Sequence, residues 1–334
     1  MIKVAHLLDD FSLGGVTQAL KLFENARITR HSSSQTVGIS PKAKIAAHLD
    51  AQLIVIHFPP TWGRIPFLVS LRMFHPQARI IQVEHSYTKQ FEALHVPSKY
   101  RFRNLLKIAA GLVDEVVAVS DGQKNWLAEI GLPTTKLRKI HPYCDRKTLF
   151  DVPNLKQHQG PVRLLAYGRL ADEKNYPSLI KAMLNFSPAE TQLSVFGSGP
   201  QRQELEILAS NIENVQLYGE CRDPKPWLDG CDAVVVPSVR EAFGLVATEA
   251  RMAGRPILVA DVDGLPEQSL GNAGMTMPLR NPEEITRGIR RLIQSDLVTM
   301  GKAARRSVID QNEAVLAAWL DELRLASRVL QTDG

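Results

Sequence analysis

Twelve short apolar runs alternating with helical patterns constrain this chain of 334 residues more than any other feature. In the first half they lie near Lys3–Leu8, Gln35–Ile39, Leu53–His57, Arg79–Val83, Glu115–Val119 and Arg138–Ile140. In the second half they lie near Val162–Tyr167, Gln192–Phe196, Val215–Tyr218, Ala233–Val236, Pro256–Val259 and Gly274–Met277. Strands separated by helices predict the doubly wound α/β class with parallel sheets. Between the halves, Asp151–Pro161 is polar with Pro and Gly at its ends, the composition of a linker between domains. Two domains are therefore expected, at 1–152 and 160–312. No internal repeat or low-complexity tract interrupts them.

Composition sets the broad class. At 44% hydrophobic and 22% charged, the chain can fill two cores, as a soluble enzyme does. No apolar run approaches the roughly 18 residues of a membrane-spanning helix. The start, Met1–Leu8, meets Asp9 and Asp10 before a secretory core could form, so a cytoplasmic location is expected, at the inner face of the membrane if the basic segment below touches lipid. Cys144, Cys221 and Cys231 form no C-x-x-C pair and read as buried thiols.

Charge is uneven. Residues 1–150 carry 20 Lys and Arg against 11 Asp and Glu, and residues 151–334 carry 20 against 24. In the basic half, Lys99-Tyr100-Arg101-Phe102-Arg103-Asn104-Leu105-Leu106-Lys107 mixes cations with apolar groups at helical spacing. Such a segment can contact an anionic membrane, with rings in the interface and cations at the headgroups. No long basic run or recognised motif points to nucleic acid.

Glu241 and Glu249 carry the clearest chemical signal. They flank Phe243, Gly244 and Leu245 just after the apolar run Ala233–Val236, at a strand-loop-helix joint where nucleotide-like ligands sit in α/β proteins. With a helix starting near Gly244, Glu241 stays in the loop and Glu249 enters the second turn, and eight helical rises span about 12 Å. That is too far for a paired-carboxylate hydrolase. The first N–H groups of the helix face any anion between them. Gly168-Arg169-Leu170-Ala171-Asp172-Glu173-Lys174 supplies cations after another strand, and a guanidinium with an ammonium suits a diphosphate.

Together these motifs resemble the retaining glycosyltransferases of family 4, in their E-x7-E pair and basic pair. Gly14-Gly15 after the first strand, His85 after Ile80–Val83, Gly197-Ser198-Gly199-Pro200 and Gly264-Leu265-Pro266-Glu267 match in order. The resemblance implies the GT-B architecture: two facing Rossmann-like domains with parallel sheets and an interdomain cleft. It implies an acceptor-binding first domain, with a last helix at about 313–334 packing back on it, and a donor-binding second domain. His85, Arg169, Lys174 and Glu241 would be catalytic, with His85 near the transferred sugar. Gly14, Gly15, Gly168, Gly197, Phe243, Gly244, Leu245 and Glu249 would bind the donor, Glu249 at the ribose.

The expected activity is retaining transfer of a hexose from a UDP- or GDP-linked sugar to a glycan or lipid-linked acceptor, in surface polysaccharide assembly. The nucleotide sugar is a substrate, and neither a cofactor nor a metal is expected. Asp261-Val262-Asp263 has the D-x-D form of a metal site in another glycosyltransferase fold, but here it falls in a loop that the resemblance assigns otherwise. Two other readings fit: a nucleotide-sugar epimerase of the same architecture, and a non-catalytic sugar-nucleotide-binding subunit. Departures from the family fall at His141-Pro142-Tyr143-Cys144-Asp145, which lacks the usual Gly, and at Ala242, where Gly is common. The resemblance implies that both loops shape the sugar pocket.

Overall fold

The computed structural model describes residues 1–11, 15–220 and 222–329. It divides into two compact units, one built from residues 1–145 with the chain from Asn312 onward, the other from Arg146–Gln311.

Six parallel strands form the sheet of the first unit: β1 (Ile2–Leu8), β2 (Ser32–Gly38), β3 (Leu53–Ile56), β4 (Arg79–Glu84), β5 (Glu115–Ala118) and β6 (Leu137–Lys139). Their spatial order is β2-β1-β3-β4-β5-β6. The apolar runs predict this sheet strand for strand, and the largest difference is β2. It begins at Ser32 and pairs through polar Ser33, Ser34 and Gln35. A polar edge strand is protected from pairing with other chains, but its polar start gives no apolar run to read. At the centre, β3 is an unbroken Leu-Ile-Val-Ile, wholly buried between β1 and β4.

The helix Lys99–Gly111 corrects one expectation. Phe102, Leu105 and Leu106 are buried, and Phe102 and Leu106 join the core formed with Trp126, Leu127 and Ile80. Its apolar face is spent on the fold, so these side chains cannot enter a membrane, and only Tyr100 among its rings is exposed. No helix among the described residues is long and apolar enough to cross a membrane.

The last helix, Gln311–Val329, completes the first unit through one buried carboxylate. Glu322, with no solvent exposure, accepts from Arg79 Nε at 2.8 Å and pairs with Arg138. Trp319 packs edge-on against Phe23 with ring centroids 5.2 Å apart.

Six more parallel strands form the sheet of the second unit: β7 (Val162–Tyr167), β8 (Thr191–Phe196), β9 (Val215–Tyr218), β10 (Ala233–Val236), β11 (Ile257–Ala260) and β12 (Gly274–Met277). They lie in the order β12-β11-β10-β7-β8-β9. This unit starts at Arg146, ahead of the polar stretch Asp151–Pro161. That stretch does not hang free. Arg255 donates to Pro153 O at 3.0 Å and Arg305 to Asn154 Oδ1 at 2.9 Å, so buried or half-buried guanidiniums fasten it to the second unit. Of the cysteines, Cys144 and Cys231 are buried thiols, and burial pushes Cys231 up to about 12. Cys221 lies outside the described residues.

Candidate active site

The second sheet winds outward in one direction from β7 through β8 to β9, then in the other from β10 to β12. Ligands of open α/β sheets bind beyond the carboxyl ends of the strands flanking such a reversal. Here those ends are the loop Gly168–Ala171 with its following turn Asp172–Lys174, and the loop from Pro237 to Gly244.

The two loops meet. Lys174 Nζ donates to Glu241 Oε2 at 2.5 Å, with both side chains about one-fifth exposed. Ser238 Oγ donates to the same oxygen at 3.3 Å, and Val239 N donates to Glu173 O at 2.9 Å. Asp263, of the D-x-D triplet, accepts from Glu241 N at 3.0 Å, and Gly264 N donates to Glu241 O at 3.1 Å. The loop carrying Glu241 is therefore fixed from both sides. Arg169, by contrast, is exposed and forms no ion pair with any described residue. Beneath the pair, Tyr176 is buried, and burial with the nearby Glu241 and Glu173 charges pushes its phenol above its ordinary range.

Beyond Glu241 the chain turns through Gly244, at φ 92°, into the helix Leu245–Met252. A side chain at Gly244 would strain that left-handed turn and place a Cβ 2.7 Å from Leu265 Cδ2. The helix has no side-chain cap and no acidic residue in its first turn, so the positive end of its dipole opens toward the loop. Phe243 is buried, its carbonyl accepting from Gln268 Nε2 at 3.1 Å. Leu245 is half-buried at the helix start.

Glu249 sits in the second turn, as its spacing predicts, yet it does not stand open. It is 5% exposed, accepts from the Tyr167 hydroxyl at 2.7 Å, and pairs with Arg146 Nε at 2.7 Å. Burial raises its carboxyl, opposed by the Arg146 charge and the Tyr167 hydrogen bond. Arg146 also donates to Arg222 O at 3.3 Å, so one guanidinium joins the Glu249 site to the segment after β9. Sequence reasoning missed both Arg146 and Tyr167. A cation beyond His141–Asp145 and a tyrosine ending a strand carry no spacing that announces their partner.

Gly168 and Gly197 serve close approach. Gly168 N donates to Phe196 O at 3.0 Å, Leu170 N to Ser198 O at 2.8 Å, and a Cβ on Gly197 would lie 2.0 Å from Gly168 O. The loops after β7 and β8 are thus packed backbone on backbone.

In the first unit, Gly15 opens the short helix Gly15–Ala19, and Gly14 lies outside the described residues. His85 follows β4 and meets a second histidine that sequence reasoning missed: His57 Nδ1 lies 3.2 Å from His85 Nε2. Beside it, Glu84 is buried and accepts from Ser86 N and Tyr87 N, both at 2.9 Å, which fixes the loop that carries His85. Burial pushes Glu84 up to about 7 and His85 down to about 4.

Residues 161–295 match the family described as glycosyl transferases group 1. An uncharacterized glycosyltransferase of Methanocaldococcus jannaschii is 34% identical over 137 residues, covering 39% of this chain but only 35% of that protein. N-acetyl-alpha-D-glucosaminyl L-malate synthase of Bacillus anthracis is 22% identical over 81% of this chain and 74% of its own length. Among solved structures, Anabaena HepE in complex with UDP superposes with a TM-score of 0.72 at 16% identity, covering 96% of this chain and 100% of that one. At that identity the likeness is one of fold, and the fold is the GT-B arrangement of α/β units with parallel sheets.

Proposed function

We propose that this chain, which the likenesses support as a glycosyltransferase, is a retaining hexosyltransferase. It would move a hexose from a UDP- or GDP-linked sugar to a glycan or lipid-linked acceptor in surface polysaccharide assembly, at the cytoplasmic face of the membrane. The observation that carries this reading is the Lys174–Glu241 contact at the winding reversal of the second sheet, beside the uncapped start of the helix Leu245–Met252.

As the glycosidic bond breaks, its electron pair passes to the diphosphate, and charge grows on oxygens that cations and N–H dipoles can stabilise. Lys174, Arg169 and the helix start supply those groups. Glu241 would hold Lys174 in place and accept from sugar hydroxyls with its remaining capacity. Glu249 would accept from the ribose, with Arg146 and Tyr167 offsetting the cost of its burial. The acceptor oxygen then bonds the anomeric carbon on the face the diphosphate leaves, and its proton passes to the departing phosphate. No metal is needed in this scheme, so excess chelator should leave turnover unchanged.

Membrane contact belongs to this proposal, but through a different surface. Trp62, Pro66, Val69 and Met73 fall at helical spacing along the turn Trp62–Arg64 and the helix Ile65–Phe74, and all four are exposed. Phe74 and Ile45, 45% and 71% exposed, extend the apolar area. Lys42 and Lys44 are exposed on the loop alongside, where Lys44 Nζ donates to Gly63 O at 2.7 Å. No Asp or Glu occurs between Ala51 and Val83. An apolar stripe flanked by exposed lysines fits an anionic lipid surface.

The test is a thermal-shift panel of UDP, GDP, ADP and their hexose conjugates on the native protein and on Glu249→Ala. Ligand at 100 times its dissociation constant should add about 2.7 kcal/mol of apparent stability. Stabilisation by one nucleotide, lost in the variant, followed by transfer with the donor's anomeric configuration kept, is the expected result. Stabilisation without transfer to any acceptor would favour the binding-subunit reading, and no stabilisation would remove the donor site.

A further inference from the structure

Three histidines stand in a row in the first unit, and only the last was anticipated. His6 lies in β1, His57 follows β3 and His85 follows β4, three adjacent strands of one parallel sheet. His6 pairs in register with Val55, and Ile56 with Gln82, so each histidine lies two residues further along than its neighbour's register partner. A step of two keeps all three on one face of the sheet. Their rings line up accordingly, with centroids 5.3 Å and 5.5 Å apart, and their nitrogens join head to tail: His6 Nδ1 to His57 Nε2 at 3.0 Å, His57 Nδ1 to His85 Nε2 at 3.2 Å.

A neutral imidazole carries one N–H and one bare nitrogen, so such a chain has only two consistent arrangements. Charging the middle ring is opposed by burial, which holds His57 far below its ordinary range, and an anionic ring is out of reach. In one arrangement every ring donates toward His85. In the other every ring donates toward His6, and the last proton sits on His6 Nε2. That nitrogen is buried without a hydrogen-bond partner, in a side chain 2% exposed, with the ring packed 4.1 Å from Phe23. A buried orphan N–H is the costlier end to leave unpaired.

We infer that His6 and His57 are positioning residues that lock His85 into the tautomer protonated on Nδ1, so that His85 meets its ligand as a neutral hydrogen-bond donor and not as a base. A cavity lined by His57, His85, His141, Tyr143 and Trp319 borders the chain, about 30 Å³ in volume, room for one or two waters. The ligand atom is an oxygen with a free lone pair. Its identity as a sugar or phosphate oxygen rests on the transferase reading, but the tautomer does not.

Imidazole nitrogen NMR of the native protein, with His85 assigned by its loss in His85→Gln, decides the tautomer. The expected signal has the His85 proton on Nδ1, and a proton on Nε2 overturns the inference. In turnover, His57→Leu should lower kcat about tenfold or more while the donor KM changes little, and His57→Asn, whose amide N–H replaces the one on Nδ1, should restore most of it. Equal loss in both variants overturns the positioning role. If no sugar nucleotide is turned over by the native protein, the transferase reading fails while the spectrum still decides the histidine chain.

Discussion

Replacing His6 with phenylalanine should change how stability depends on pH more than how large it is. Burial pushes His6 from its ordinary 6.5 to about 3. The unfolded chain takes up a proton there below about pH 6.5, and the folded chain does not. The contribution is therefore fully present above 6.5 and is lost as the pH falls toward 3, at about 1.4 kcal/mol per pH unit. Near pH 5 the loss reaches about 2 kcal/mol from this group alone. His57 and His85, shifted the same way by burial, add to the slope. Glu84 works against them. Raised from 4.5 to about 7, it keeps a proton in the folded state that the unfolded chain releases, so it costs stability progressively as the pH rises from 4.5 to 7. Urea unfolding followed by tryptophan fluorescence at a series of pH values should show a slope shallower by about 1.4 kcal/mol per unit in His6→Phe between roughly pH 4 and 6. Glu84→Gln, which still accepts from Ser86 and Tyr87, should steepen it. An unchanged slope in His6→Phe would mean that His6 is protonated in the folded protein, and would refute the reasoning.

Other expectations follow from the site and its supports. Lys174→Ala should lower kcat about 100-fold, read in steady-state turnover, because a cation facing growing charge is lost. Gly197→Ala should cost about 2 kcal/mol or more in thermal unfolding, since its Cβ would meet Gly168 O at 2.0 Å and push the loop that bears Arg169 and Lys174. Glu322→Ala leaves Arg79 and Arg138 half-buried without their shared carboxylate, and should cost about 3 kcal/mol, with faster proteolysis of the last helix. Met73→Asp should abolish sedimentation with vesicles containing phosphatidylserine, whereas Phe102→Leu should not alter it.

The strands were legible because the central ones, such as β3, β10 and β11, are unbroken apolar runs, and buried parallel strands need them. The edge strand β2 was legible only from Gln35 onward, its polar start giving no such signal. Glu241 and Glu249 were singled out by spacing along one segment and Lys174 with Arg169 in another, but the Lys174–Glu241 contact depends on β7 and β10 being neighbours. The histidine row has the same origin. His6, His57 and His85 are far apart in sequence, and only the strand order β1-β3-β4 brings them together. The helix Lys99–Gly111 shows the converse. Its amphipathic pattern is real, but a pattern does not say whether a core or a membrane takes the apolar face.

The route of the chain also sets an order of assembly. Everything in the first unit except its last helix is synthesised before the second unit begins, and Glu322 and Trp319 emerge only after the second unit is complete. Until then Arg79 and Arg138 lack their buried anion and Phe23 lacks its aromatic neighbour. On the ribosome, the second unit can finish folding first while the histidine-bearing sheet waits for the helix Gln311–Val329. A premature stop before Trp319 would therefore damage the first unit as well, leaving a product open to proteases that recognise unfinished chains.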